Sequence, residues 1–132
     1  MDVDSEIIRA LKRNSRQSFS SIGERLGLSE GAIRKRVSNL VNRGVIKRFT
    51  LETQDTISAV IGIKTNLTVP TRNIVEKIKN FNVTNIYETT GRFDIVCIIT
   101  IESMEEANSI LEAIRSTEGI IATETFSVLK RN

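Results

Sequence analysis

Apolar positions recur at two different intervals along this chain. Up to Asn42 they come three and four residues apart, the period of a helix; from Ile57 onward, β-branched alternating runs take turns with helical stripes. Ile7, Ile8 and Leu11 make the first stripe, with Asp4 placed to cap it. The polar run Asn14–Ser18 interrupts the pattern as a loop. Phe19, Ile22 and Leu26 make a second, shorter stripe. Gly23 inside it costs roughly 1 kcal/mol against alanine, which fits a close approach by another helix. Gly27 suits the position just past a helix end, and Ser29 suits the cap of the next helix. Two helices joined by a tight, glycine-containing turn form the helix-turn-helix pattern. In the third helix Ile33, Val37, Leu40 and Val41 fall on one side and are expected in the core. Gly44 ends that helix, and Val45–Phe49 reads as a strand, as in a winged helix-turn-helix.

The later pattern predicts strand, helix, strand, strand, helix, strand. Ile57–Leu67 is the first strand, and Pro70 opens a helix that buries Ile74, Val75, Ile78 and Phe81. A second strand runs up to Gly91, and a third spans Phe93–Ile101. Ser103 and Glu106 have the spacing of a capping box. The helix they open should bury Met104, Ala107, Ile110, Leu111 and Ile114, and the last strand follows Gly119. This order is the ferredoxin-like βαββαβ arrangement. The expected fold class is therefore α+β: a helix-turn-helix domain over 1–49, a linker over 50–56, and a ferredoxin-like ligand-binding and oligomerisation domain over 57–132. Both helices of such a domain cover one sheet face. Yet the third strand is apolar on both, with Phe93, Ile95, Cys97, Ile99 and Ile101 on one side and Val96 and Ile98 on the other. A strand with one wet face should alternate, so a second copy of the sheet is expected to cover the other face, giving a homodimer at least.

Charge separates the two parts further. Residues 1–50 carry eleven Lys/Arg against five Asp/Glu, a balance of +6, whereas residues 51–132 carry eight against eleven, a balance of −3. A basic part joined to an acidic one suggests two tasks, the first involving a polyanion. The chain has no histidine, which removes the commonest general base, the usual zinc ligand and a Ser-His triad, so neither catalysis nor a metal site is expected. The single cysteine, Cys97, excludes an internal disulfide and fits a reducing compartment. No apolar run approaches the roughly 18–20 residues of a membrane span, and the N-terminus lacks an export-signal pattern, so a cytoplasmic protein with no membrane contact is expected.

The third helix carries the candidate chemistry. Gly31, Arg34, Lys35, Ser38, Asn39 and Asn42 lie off its apolar stripe, and its one carboxylate, Glu30, sits in the first turn, where negative charge favours the helix dipole. A merely solvated face usually mixes signs with glutamate four residues before lysine. Basic, small and amide-bearing side chains are instead the types that meet phosphates and base edges in a major groove. Double-stranded DNA is the expected partner. Arg34, Lys35 and Ser38 are expected at base edges, with Gly31 allowing close approach. Ser29, Arg36, Arg43, Lys47 and Arg48 complete the DNA-contacting set, the last four mainly on phosphates. Two such helices in a dimer would read half-sites roughly 34–36 Å apart or a multiple of it.

The run Ser20–Phe49, with its GLS…RV..L…GVI frame, followed by a βαββαβ module containing TGRFD, resembles the Lrp/AsnC, or feast/famine, family of prokaryotic transcription regulators. The resemblance spans almost the whole chain. It implies dimers that assemble further into higher oligomers, and an amino-acid effector bound between ligand domains, with no other cofactor. It places that pocket at the TGRFD turn, Gly91, Arg92, Phe93 and Asp94, and at the last strand of a neighbouring subunit, Thr123, Glu124 and Thr125. A zwitterion needs a carboxylate for its ammonium and peptide N–H groups or an arginine for its carboxylate; Asp94, the peptides around Gly91, and Arg92 offer these. Alternatively, Gly91 and Asp94 simply shape the turn. The sequence is thus read as a DNA-binding regulator that responds to a small effector. An architectural protein that coats DNA with little sequence preference is the alternative. An acylphosphatase-like enzyme, which shares the ferredoxin-like fold, lacks its glycine-rich phosphate cradle here.

Overall fold

The computed structural model describes residues 2–53 and 57–132, which form two compact units, the chain dividing between Glu52 and Thr53. The linker expected over 50–56 falls partly on 54–56, outside the described residues.

The first unit holds α1 (Val3–Arg13), α2 (Phe19–Leu26) and α3 (Glu30–Asn42). Ile7, Ala10, Leu11, Ile22, Ile33 and Val37 form its core, with Phe19, Leu26, Leu28 and Ile46 packed around them. The cap of α1 is Asp2, not Asp4, since the helix already begins at Val3. Asp4 lies in the first turn and accepts from Arg36 Nη1 of α3 at 3.1 Å. Ser18 and Ser29 cap α2 and α3 by accepting from the amides of Ser21 and Ala32. Gly27 adopts the left-handed conformation, φ +70°, that lets α2 stop and α3 start with three residues between them. What passes close to Gly23 is the backbone of this turn: a Cβ there would strike the Leu28 carbonyl oxygen.

Two expectations for α3 change. Val41 is 42% exposed, because it lies at the margin of the stripe made by Ile33, Val37 and Leu40. Val45–Phe49 forms no strand. Gly44, at φ +73°, donates to Val41 O, and the amides of Val45 and Ile46 both donate to Leu40 O. This Schellman-type closure turns the chain back onto the helix end, and no strand of the described residues runs beside Lys47–Thr50 to pair with it.

The second unit holds β1 (Ile57–Thr65), α4 (Thr71–Ile78), β2 (Asn85–Glu88), β3 (Ile95–Ile101), α5 (Met104–Arg115) and β4 (Ile120–Ser127). The antiparallel sheet has the order β2-β3-β1-β4, the ferredoxin-like topology. Ile61 opposes Cys97 and Thr125 in register, and Gly62 opposes Val96 and Glu124. Ala59, Ile61, Ile63, Ile95, Cys97, Ile99 and Ile101 therefore share the face covered by α4 and α5, where Ile74, Ile78, Ala107, Ile110 and Ile114 close the core. Met104 is 59% exposed: it is the first residue of α5, and the buried stripe begins one turn later at Ala107. Ser103 caps α5 by accepting from the Glu106 amide, and Glu106 reaches back to the amide of Glu102 rather than to that of Ser103.

The other sheet face carries two rows across the strands. One row is Tyr87, Val96, Gly62 and Glu124; the next is Asn85, Ile98, Val60 and Phe126. Val60, Val96 and Ile98 are half-buried, while Tyr87 and Phe126 are about half exposed.

Candidate functional site

The outer face of α3 is continuous. At 100° per residue Gly31, Arg34, Lys35, Ser38, Asn39 and Asn42 fall within an arc of about 140°, and all six are exposed. Ser29 sits at the helix cap and is exposed as well. Among the described residues Lys35, Arg43, Lys47 and Arg48 have no ion-pair partner, so their charges face outward uncompensated. Arg36 differs. Its pair with Asp4 ties α3 to α1, so reaching a phosphate would mean giving up that bond. Nothing in the sequence pairs these two residues, which stand 32 positions apart. Arg34 is held by Glu30, its neighbour one turn earlier, and its guanidinium carbon lies 6.0 Å from the centre of the Phe19 ring.

In the second unit the candidate effector residues divide between the two sheet faces. Phe93 precedes β3, which begins at Ile95, and it does not share the face of Ile95 and Cys97. Its ring lies over Gly62, where a Cβ would come within 2.6 Å of it. Gly62 belongs to the open face, so Phe93 does too, contrary to the simple alternation counted from Phe93. The reason lies in Asp94, whose amide donates to Ile63 O and whose Oδ2 accepts from the Thr65 amide at 2.8 Å and from its hydroxyl at 3.3 Å. This anchors the turn to β1 and sends Phe93 across the sheet. Thr89 closes the same turn: its amide donates to Asp94 O and its hydroxyl to Phe93 O. Gly91, at φ +100°, supplies the left-handed step.

Arg92 and Glu124 join Phe93 on the open face. Arg92 Nη2 lies 3.0 Å from Glu124 Oε2, and its guanidinium carbon lies 5.5 Å from the Phe93 ring centre. Arg92, Phe93 and Glu124 thus converge above Gly62, a residue that sequence alone does not flag as functional. Its one signal is a glycine inside a β-branched run, the usual mark of a close approach. Thr123 and Thr125 point to the other face; Thr123 Oγ1 accepts from Arg115 Nε of α5 at 3.3 Å. Asp94 serves the turn through Oδ2. Cys97 is buried beneath the helices, and burial pushes its thiol up to about 11, so it stays protonated and unreactive near neutral pH. No group of three or more His, Cys, Asp or Glu side chains able to hold a metal occurs among the described residues, and none of their helices is long and apolar enough to cross a membrane.

Comparison with known proteins fits both units. Residues 2–47 match the winged helix-turn-helix DNA-binding family, and residues 58–132 match the Lrp/AsnC ligand binding domain. The chain is 38% identical over 130 residues to the HTH-type transcriptional regulator LysM of Sulfurisphaera tokodaii, an alignment covering 96% of this chain and 93% of that protein. Its fold is similar to that of E. coli AsnC, with a TM-score of 0.74 at 24% identity over 99% of this chain and 93% of that one. It is similar also to the feast or famine regulatory protein of M. tuberculosis complexed with L-methionine, with a TM-score of 0.81 at 23% identity over 98% and 92% of the two chains. With a helix-turn-helix unit, a ligand-binding unit of this type and relatives that are regulators rather than enzymes, the chain belongs to the Lrp/AsnC family of transcription regulators.

Proposed function

We propose that this regulator binds DNA sequence-specifically through α3, as a homodimer or larger assembly, and that an amino acid bound at the Arg92–Phe93–Glu124 cluster alters that binding. The observation that carries the DNA part is the unbroken exposed arc of α3, basic and amide-bearing. Arg34, Lys35 and Ser38, with Gly31, face base edges in this reading, while Arg43, Lys47 and Arg48 hold phosphates. Arg36 is a weaker phosphate contact than its charge suggests, because Asp4 already holds it.

The effector part rests on the ion pair above Gly62. A free amino acid brings one carboxylate and one ammonium, and Arg92 and Glu124 offer the two matching charges 3.0 Å apart beside an aromatic ring. Glu124 replaces Asp94 as the partner for the ammonium, since Asp94 is engaged with Thr65. Gly91 gives the turn its shape. Thr123 and Thr125 lie on the far face and would support the strand rather than touch the ligand.

A thermal-shift panel against all twenty amino acids, with Glu124→Gln alongside, tests this reading. A ligand at about a hundredfold excess over Kd adds about 2.7 kcal/mol to the folded state. One or a few amino acids should raise the melting temperature, and the variant should lose the rise. A flat panel for a protein that still footprints DNA selectively would leave the second unit an assembly module without an effector.

A further inference from the structure

We infer that Arg34 reads a guanine in the major groove and that Glu30 and Phe19 position its guanidinium for it. The inference rests on the DNA-reading role proposed above for α3. Two contacts from two different helices converge on this one side chain. Glu30, one turn earlier in α3, accepts from Arg34 Nη2. The ring of Phe19, the first residue of α2, lies 6.0 Å from the guanidinium carbon, within the range of a cation–π contact. Lys35 on the same helix and Arg43 just past its end have no such partner, and Arg36 is turned to Asp4.

Guanine presents O6 and N7 side by side in the major groove, and a guanidinium edge meets both at once. An arginine on a free stem must first give up its rotamer freedom. With one Nη held by Glu30 and the ring of Phe19 close by, Arg34 has less freedom to lose, and its remaining N–H groups stay available to a base. The carboxylate of Glu30, favoured in the first turn by the helix dipole, also has a partner on this surface. Bonded to Arg34 it is compensated, and it orients the residue that reads.

The test uses the full chain and selection of duplexes from a random pool. The wild type should enrich guanine at one position of the selected motif. Arg34→Ala should lose that preference by roughly 5–150-fold, the range of one bidentate base contact, while other positions keep theirs. Replacing that guanine by 7-deazaguanine, which lacks the N7 acceptor, should weaken the wild type and leave Arg34→Ala unaffected. Glu30→Gln separates positioning from a structural role. Removing a negative charge beside phosphates should raise non-specific binding, while preference for guanine falls roughly threefold or more. Phe19→Leu should lose preference too, and Phe19→Tyr, which keeps the ring, should retain it. An Arg34→Ala protein weakened equally on every sequence would make Arg34 a phosphate contact and overturn the inference. So would a Glu30→Gln protein with its guanine preference intact. A wild type that enriches no sequence would overturn specific recognition itself, which is a distinguishable failure.

Discussion

At the scale of single residues, Gly62 and Asp94 decide how the second unit presents its candidate site. Alanine within a strand is ordinarily no worse than glycine. At position 62, however, its Cβ would press on the Phe93 ring, at 2.6 Å before any adjustment. Gly62→Ala should therefore destabilise by about 1–3 kcal/mol in urea unfolding, and adding Phe93→Ala should remove the penalty of the glycine change. A neutral Gly62→Ala would mean that the ring does not rest there. Asp94 makes the complementary prediction. Its Oδ2 accepts from the Thr65 amide, so Asp94→Ala leaves a part-buried donor without a partner and should cost about 1–3 kcal/mol. Asp94→Asn keeps an acceptor oxygen and should stay close to the wild type in the same unfolding measurement. Loss of effector binding in Asp94→Ala would then report a collapsed turn rather than a missing ligand contact.

At the scale of elements, the proposed DNA contacts divide along α3 into reading and holding. Lys35 lies within the exposed arc, whereas Arg43 follows the last turn of α3. Lys35→Ala should change which sequences are preferred. Arg43→Ala should weaken all sequences alike and lower the salt-dependence slope by about 0.9 for each phosphate that is no longer neutralised, read from binding isotherms at several salt concentrations. Helices and their faces are legible in the sequence because each stripe repeats within the helix itself: Ile33, Val37 and Leu40 reveal α3 without reference to anything distant. The expectations that fail have the opposite character. Val45–Phe49 has strand-forming residues, but a strand needs a neighbour, and composition does not say whether one exists. Strand alternation counted back from Ile95 puts Phe93 on the helix-covered face, and the hydrogen bonds of Asp94 to β1 reverse its side. Both depend on contacts with residues far along the chain, as does the Arg36–Asp4 pair.

At the scale of the whole molecule, the open sheet face bears on assembly. Val60, Val96 and Ile98 are half-buried, and Tyr87 and Phe126 stand about half exposed beside them. Water on such a face is unfavourable, and a second sheet would remove it. If the proposed dimer forms through this face, Val96→Lys, with Phe126→Lys as a second variant at a more exposed site, should shift it to monomer in sedimentation velocity while leaving its circular dichroism unchanged. An unaltered sedimentation coefficient would place the interface elsewhere. The proposed function couples the two units: occupancy at the Arg92–Glu124 pair would change how α3 binds DNA. Linkage makes that coupling a ratio of affinities, commonly about 5–150-fold in allosteric proteins. A binding isotherm on the selected duplex, with and without the amino acid that raises the melting temperature, reads this coupling. Kd should shift within that range for the wild type and stay unchanged for Glu124→Gln. An isotherm that the bound amino acid leaves unmoved, in midpoint and in stoichiometry, would contradict it.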